Sequence, residues 1–217
     1  MKQGLTELVF ILDRSGSMGG LVSDTIGGFN GLLEKQKQEQ GECVVTTVLF
    51  DDKYELLHDR IPLPAVNPIT HKEYYVRGMT ALLDAIGLTL EKIRSAQANT
   101  AENGRAEKVL FVIITDGMEN ASREYRIDRV KEMIERQKRE AGWEFLFLGA
   151  NIDAISVAAG FGITADRAVT YRADAAGTRL NYDVVSDTVA CMRSGMLLSA
   201  DWKERIEKDE KERKRDR

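Results

Sequence analysis

Asp13, Ser15 and Ser17 occupy alternate positions directly after the apolar run Leu8-Val9-Phe10-Ile11-Leu12. A carboxylate and two hydroxyls spaced this way, where a buried strand ends, can converge on one point. Oxygen donors of this kind suit a hard divalent cation, above all Mg²⁺, which takes its oxygens in near-octahedral array. Two more oxygen-bearing residues stand in comparable settings. Thr80 lies in Arg77-Gly78-Met79-Thr80-Ala81-Leu82, and Asp116 lies in Ile114-Thr115-Asp116-Gly117, again behind an apolar run. Taken singly, an Asp, Ser or Thr after a strand is a helix cap or a turn residue. The conjunction is what argues for a site.

Such a site needs elements that bring distant residues together, and the sequence supplies an alternation of strands and helices. Apolar or β-branched runs predict strands at 5–12, 44–50, 109–114, 145–148 and 168–171. Residues 54–61 follow only Asp51-Asp52-Lys53 and predict an antiparallel partner at the sheet edge. Helical spacing predicts helices at 23–37, 81–96, 125–140 and 153–161, and a last one from about 179 to 196. Gly27, Gly28 and Gly31 weaken the first helix and suggest close packing against the sheet. Pro62, Pro64 and Pro68 impose a loop. The expected fold is α/β: a doubly wound, mostly parallel central sheet with one antiparallel edge strand and helices on both faces. In such sheets ligands bind beyond the carboxyl ends of the strands, where strand order reverses. If the strands ending at Asp13 and Asp116 are neighbours, both carboxylates reach one crevice, and Thr80 meets them from the start of a helix.

The chain has 217 residues, 43% of them apolar and 30% charged, with a net charge of −4. That is the composition of one soluble domain with a full core, and it points to neither a nucleic acid nor a membrane as partner. Cys43 and Cys191 lack the spacing of a zinc knuckle or a disulfide framework, and His58 and His71 lack ligand spacing. No secretory signal is evident, so a reducing cytoplasm is expected. From Asp201 onward the composition becomes alternating charge around Trp202 and Ile206, which predicts a solvated, fraying helix that these two residues can pin at its start.

The pattern Asp13-x-Ser15-x-Ser17, then Thr80, then Thr115-Asp116-Gly117 resembles the metal-ion-dependent adhesion site of von Willebrand factor type A (VWA) domains, over residues 5 to 172. The resemblance is to compact bacterial or phage members that stand alone. It divides the chain into a VWA domain (1–198) and a charged helical tail (199–217), with the Rossmann-like VWA sheet. It implies that Ser15 and Ser17 ligate the metal through their hydroxyls, and that Thr80, Asp13 and Asp116 bind directly or through water. It also implies Mg²⁺, with Mn²⁺ or Ca²⁺ as alternatives, and a protein partner presenting an Asp or Glu carboxylate, such as an ATPase or a multi-protein complex. This is recognition chemistry, not turnover. Arg14 and Met18 are expected near the rim, with Met79, Met118, Glu119 and Asn120 flanking. The enzyme alternative is a Mg²⁺-dependent phosphohydrolase of Rossmann-like fold. Its second acid belongs two positions after the nucleophile, where this chain has Ser15. A phosphate cradle at Gly16-Ser17-Met18-Gly19-Gly20 matches no established nucleotide motif.

Overall fold

The computed structural model describes residues 1–215. Six strands form one sheet: β1 (Lys2–Asp13), β2 (Cys43–Phe50), β3 (Tyr54–Pro62), β4 (Ala106–Thr115), β5 (Glu144–Ala150) and β6 (Ala168–Tyr171). Their order is β3-β2-β1-β4-β5-β6. All neighbours are parallel except β2 and β3, the expected antiparallel edge pair. The chain winds outward from β1 to β3, then returns to β1's other side with β4. The reversal therefore falls between β1 and β4, whose register sets Leu12 opposite Ile114 and Asp13 beside Thr115.

The helices are α1 (Val22–Lys37), α2 (Leu82–Asn99), α3 (Ile127–Ala141), α4 (Ala154–Gly160), α5 (Ala175–Arg193) and α6 (Glu204–Arg215). Side chains alternate across β1, so its two faces feed two cores. Leu8, Phe10 and Leu12 pack with Phe29 and Leu32 of α1 and Val185 and Val189 of α5. Val9 and Ile11 pack with Ile86 and Leu90 of α2 and Val130 and Ile134 of α3. Each such side chain contributes about 1.5–3 kcal/mol on burial, which anchors β1 and β4 and hence the residues at their ends. No helix among the described residues is long and apolar enough to cross a membrane.

Three local features differ from the sequence reading. Helix α5 begins at Ala175, several residues before the expected start, because the Asp174 carboxylate accepts the Gly177 N–H at 2.8 Å and caps it. Gly28 packs against the ring of Tyr182 on α5, not against the sheet, while Gly27 and Gly31 meet open space. The charged terminal helix, expected to be solvated, docks on the edge strand β6. Ile206 is buried in the α1/α5 core, and Trp202 Nε1 donates to Asp166 O at 2.7 Å. Lys203 Nζ donates to Ala165 O and Ala168 O, and Arg213 pairs with Asp174 at 2.8 Å. Residues 216–217 of the expected tail lie outside the described residues.

Candidate metal centre

Asp13 closes β1 with 1% of its surface exposed. Its carboxylate is held from two sides: the Ser15 N–H donates to Oδ1 at 2.7 Å, and the Thr115 hydroxyl donates to Oδ2 at 2.5 Å. The Tyr74 hydroxyl donates to its main-chain oxygen. After Asp13 the chain leaves the sheet in a 3₁₀ turn (Gly16–Leu21), which returns Ser17 toward β4. The Ser17 hydroxyl donates to Asp116 Oδ1 at 2.5 Å and lies 3.1 Å from Ser15 Oγ.

Thr80 comes to the same place through a loop with its own clamps. Gly16 N donates to Gly78 O at 3.3 Å, Arg77 N to Arg14 O at 3.0 Å and Ala81 N to Asp51 O at 2.8 Å. Gly78 takes the left-handed conformation (φ 65°), and a Cβ there would run into the Asp52 carboxylate. Thr80 N donates to Asn120 Oδ1 at 2.9 Å, and Thr80 O accepts the Asn120 and Ala121 N–H groups. Ala81 has no side-chain oxygen to cap α2, so the loop after β4 supplies one: Leu83 N donates to Glu119 Oε2 at 2.9 Å. The Thr80 and Asp116 loops are thus stitched together.

All five expected residues converge. A Cβ built on Gly117 would lie 3.1 Å from Thr80 Oγ1, 3.4 Å from Ser17 Oγ and 3.9 Å from Ser15 Oγ, so the three hydroxyls surround one point beside Asp116. Asp13, Ser15, Thr80 and Asp116 are buried and Ser17 is exposed, so the cluster opens on one side. Both acids carry raised pKa values. Burial pushes Asp116 up to about 6, the Ser17 hydrogen bond lowers it, and the negative charge of Asp13 raises it further. Asp13 is also raised by burial, against the hydrogen bonds of Thr115 and Ser15. Two buried carboxylates that disfavour each other's charge, ringed by hydroxyls with oxygen lone pairs to give, are a donor set a divalent cation would relieve. The 3.1 Å between the serine oxygens is close to the roughly 3.0 Å edge of an octahedron with metal–oxygen bonds near 2.1 Å. Among the described residues no group of three or more His, Cys, Asp or Glu side chains could hold a metal. This set differs in kind, with hydroxyls in the majority.

Other residues fall differently from expectation. Arg14 and Met18 are not at the rim but fully buried, because Arg14 turns away from the crevice toward Asp51 and Glu55 while Met18 joins the α1 core. Met79 and Met118 are exposed (53% and 67%) and flank the opening. Glu119 and Asn120 are spent on capping and loop stitching. Thr115, Tyr74 and Arg14 have site-building roles that their sequence positions alone do not announce. His58 is half-buried with Nδ1 3.0 Å from Thr47 Oγ1, on the β3 edge.

No protein-family model matches the sequence, and no curated protein matches it. Solved structures do. Proximal thread matrix protein 1 from the mussel byssus, with a zinc-occupied MIDAS motif, is 13% identical with a TM-score of 0.58, over 85% of this chain and 46% of that one. A von Willebrand factor type A protein from Catenulispora acidiphila is 13% identical with a TM-score of 0.58, over 85% and 42%. Manganese-loaded TRAP protein from Plasmodium vivax is 17% identical with a TM-score of 0.57, over 83% and 72%. The chain spans less than half the length of the first two. At these identities the likeness is one of fold.

Proposed function

We propose that this chain, whose fold is that of von Willebrand factor type A domains, is a divalent-cation-dependent protein-binding module. Asp13, Ser15, Ser17, Thr80 and Asp116 would hold the cation, and an Asp or Glu carboxylate of a partner protein would complete its shell. One observation carries the reading: two buried carboxylates and three hydroxyls meet at the strand-order reversal, with Ser17 at the open side. A bound cation supplies Lewis acidity toward an incoming carboxylate oxygen. The chain's residues decide how strongly. Asp13 and Asp116 carry between them only the charge needed to balance a dication, so the neutral hydroxyls leave it electrophilic. Thr115 and the Ser15 N–H orient Asp13, and the Asn120 side chain fixes the Thr80 backbone.

Zinc in the mussel protein's MIDAS and manganese in the Plasmodium protein favour a divalent ion in this fold. The all-oxygen donor set favours Mg²⁺ in the cell, with Mn²⁺ or Ca²⁺ as alternatives. Cys43 and Cys191 are free thiols, which suits a reducing cytoplasm. A non-catalytic role is favoured because Asp13, which would be the nucleophile of the phosphohydrolase alternative, has Ser15 and not a second acid two residues on. An ATPase or a multi-protein complex is the class of partner we envisage, and neither nucleic acid nor membrane.

Calorimetric titration of chelator-treated protein with Mg²⁺ and Mn²⁺ tests the first half: one site is expected, lost in Asp13→Ala. Pull-downs with the wild type and Asp13→Ala, each with and without chelator, test the second. Partners should vanish in both treatments. Failure of the wild type to bind either ion rejects the reading, and sustained phosphatase turnover abolished by Asp13→Ala would replace it with the hydrolase.

A further inference from the structure

On the α1/α5 side of the sheet, next to the Asp13–Asp116 crevice, buried polar atoms outnumber their partners. Tyr171 Oη ends β6; Thr178 Oγ1, Asn181 Oδ1 and Nδ2, and Tyr182 Oη lie on α5; Thr25 Oγ1 lies on α1. None of the six meets a protein group in good hydrogen-bond geometry, the Thr25 hydroxyl lying near that of Tyr74 but short of a well-formed bond, and all belong to side chains with at most 2% exposure. They are six of the nine such atoms among the described residues. They are also neighbours. Tyr171 and Tyr182 are within electrostatic reach of each other and of Tyr74, Thr25 lies beside Tyr74, and Asp13 and Asp116 act on Tyr171. Thr178 stands one turn before Tyr182 on α5, and Asn181 directly precedes Tyr182; all three side chains are buried. Gly28 is what admits the Tyr182 ring against α1. Tyr74 closes the layer toward the crevice by donating to Asp13 O.

A buried polar group without a partner loses its hydration and receives nothing in return. Six in one layer exceed what a marginally stable domain absorbs. The chemistry of the layer says what would satisfy them. It offers neutral hydroxyls and one carboxamide, both donors and acceptors. The charges acting on it are those of Asp13 and Asp116, which repel an anion. None of the layer's own side chains is a carboxylate, so it supplies no anionic oxygen for a second cation. Water donates and accepts in the smallest volume, and buried water of this kind is part of ordinary domains.

We infer that a small cluster of ordered water molecules occupies this layer, bound to Tyr171, Tyr182, Asn181, Thr178 and Thr25, and forms an internal floor joining α5 to the Tyr74–Asp13 contact. The inference rests on burial and unpartnered atoms, and does not require the cation reading. A crystal structure of the full chain at a resolution that shows individual waters tests it, with and without Mg²⁺. Density peaks at hydrogen-bond distance from at least two of Tyr171 Oη, Tyr182 Oη and the Asn181 amide are expected in both states. Tyr171→Phe and Tyr182→Phe should each melt below the wild type and lose a peak. A layer without peaks, its hydroxyls paired directly with one another, overturns the inference. So do phenylalanine variants that melt at or above the wild type. If a variant does not fold, water-to-hydroxyl transfer in the NMR spectrum of the wild type gives the same decision, because a dry layer shows none.

Discussion

Arg14 donates Nε to Asp51 Oδ2 at 3.1 Å with neither side chain exposed. The same carboxylate oxygen receives Arg77 Nε at 2.5 Å from the far side of the Thr80 loop. Both guanidinium groups sit 5.4 Å from the centre of the Tyr75 ring, and Arg14 also reaches Glu55 at 2.7 Å. Asp51 is therefore the post to which the end of β1 and the Thr80 loop are both tied. Arg14→Met should lower unfolding stability by about 3 kcal/mol, since it takes from a buried carboxylate one of its two guanidinium partners. It should also weaken Mg²⁺ binding, through a loosened Thr80. Arg14→Lys should not restore either, because an ammonium cannot fork to Asp51 and Glu55 together. Urea denaturation and cation titration check this. An unchanged denaturation midpoint in Arg14→Met would mean the tie bears no weight.

Glu7 gives a pH dependence away from the site. It is fully buried on β1, with Arg60 Nε at 2.9 Å and the Gln97 amide donating to it. Burial dominates and raises its pKa despite the lowering effects of Arg60 and Gln97. A group whose folded pKa exceeds its unfolded value contributes stability that is present below the unfolded value, near 4.5, and is lost as pH rises through the folded one. Glu7→Gln removes that loss. The variant should gain on the wild type as pH rises from 4 toward neutrality, and parallel stability curves over that range would contradict the assignment.

How much of this was legible in the sequence follows from how local each signal is. Asp13, Ser15, Ser17 and Asp116 stand immediately after apolar strands, so their spacing alone put them at strand ends. Thr80 stands behind no strand, and was legible only from its place at the start of a helix and from the family pattern. Tyr74 was not, because its role is a contact with a main-chain oxygen 61 residues away, which no local periodicity encodes. Arg14 alternates with the ligands and so read as a rim residue; its burial depends on Asp51 and Glu55 arriving from β2 and β3. The start of α5 was missed because Ala175-Ala176-Gly177-Thr178 carries no apolar rhythm, although Asp174 three residues before Gly177 is a capping signal. The docking of α6 was hidden by its charge, since Lys203 and Arg213 satisfy themselves on carbonyls and a carboxylate of the fold.

That docking has a measurable consequence. Asp174 both caps α5 and binds Arg213 at 2.8 Å, so one carboxylate joins the start of α5 to the end of α6. Asp174→Ala should cost about 1–2 kcal/mol, mostly as a lost cap, and should raise amide exchange in α6 as well as in the first turn of α5. Burial pushes the Asp174 pKa up, but the Gly177 N–H and Arg213 outweigh it and hold it low. Its contribution is therefore present above the ordinary carboxylate value of 3.8 and fades as pH falls through the folded one. Exchange that rises in α5 alone would show α6 to be held by Trp202 and Ile206 without this latch.

Gly117→Ala separates the cation site from the fold around it. A methyl group there would sit 3.1 Å from Thr80 Oγ1 and 3.4 Å from Ser17 Oγ, tight enough to push the hydroxyls apart by a few tenths of an ångström. Gly117 has no left-handed backbone to protect, so the substitution brings no conformational strain of its own. Hydroxyls displaced from one point cannot all reach one small ion, whose octahedral tolerance is narrow. Mg²⁺ affinity should fall by at least about tenfold, while the chelated protein keeps its stability to within about 1 kcal/mol. The larger Ca²⁺, with longer and more flexible bonds, should lose less. In the wild type, Mg²⁺ at a hundred times its dissociation constant should stabilise the fold by about 2.7 kcal/mol, and in Gly117→Ala that increment should shrink. Equal Mg²⁺-induced shifts in melting temperature for the two proteins would place the ion somewhere other than beside Thr80 and Ser17.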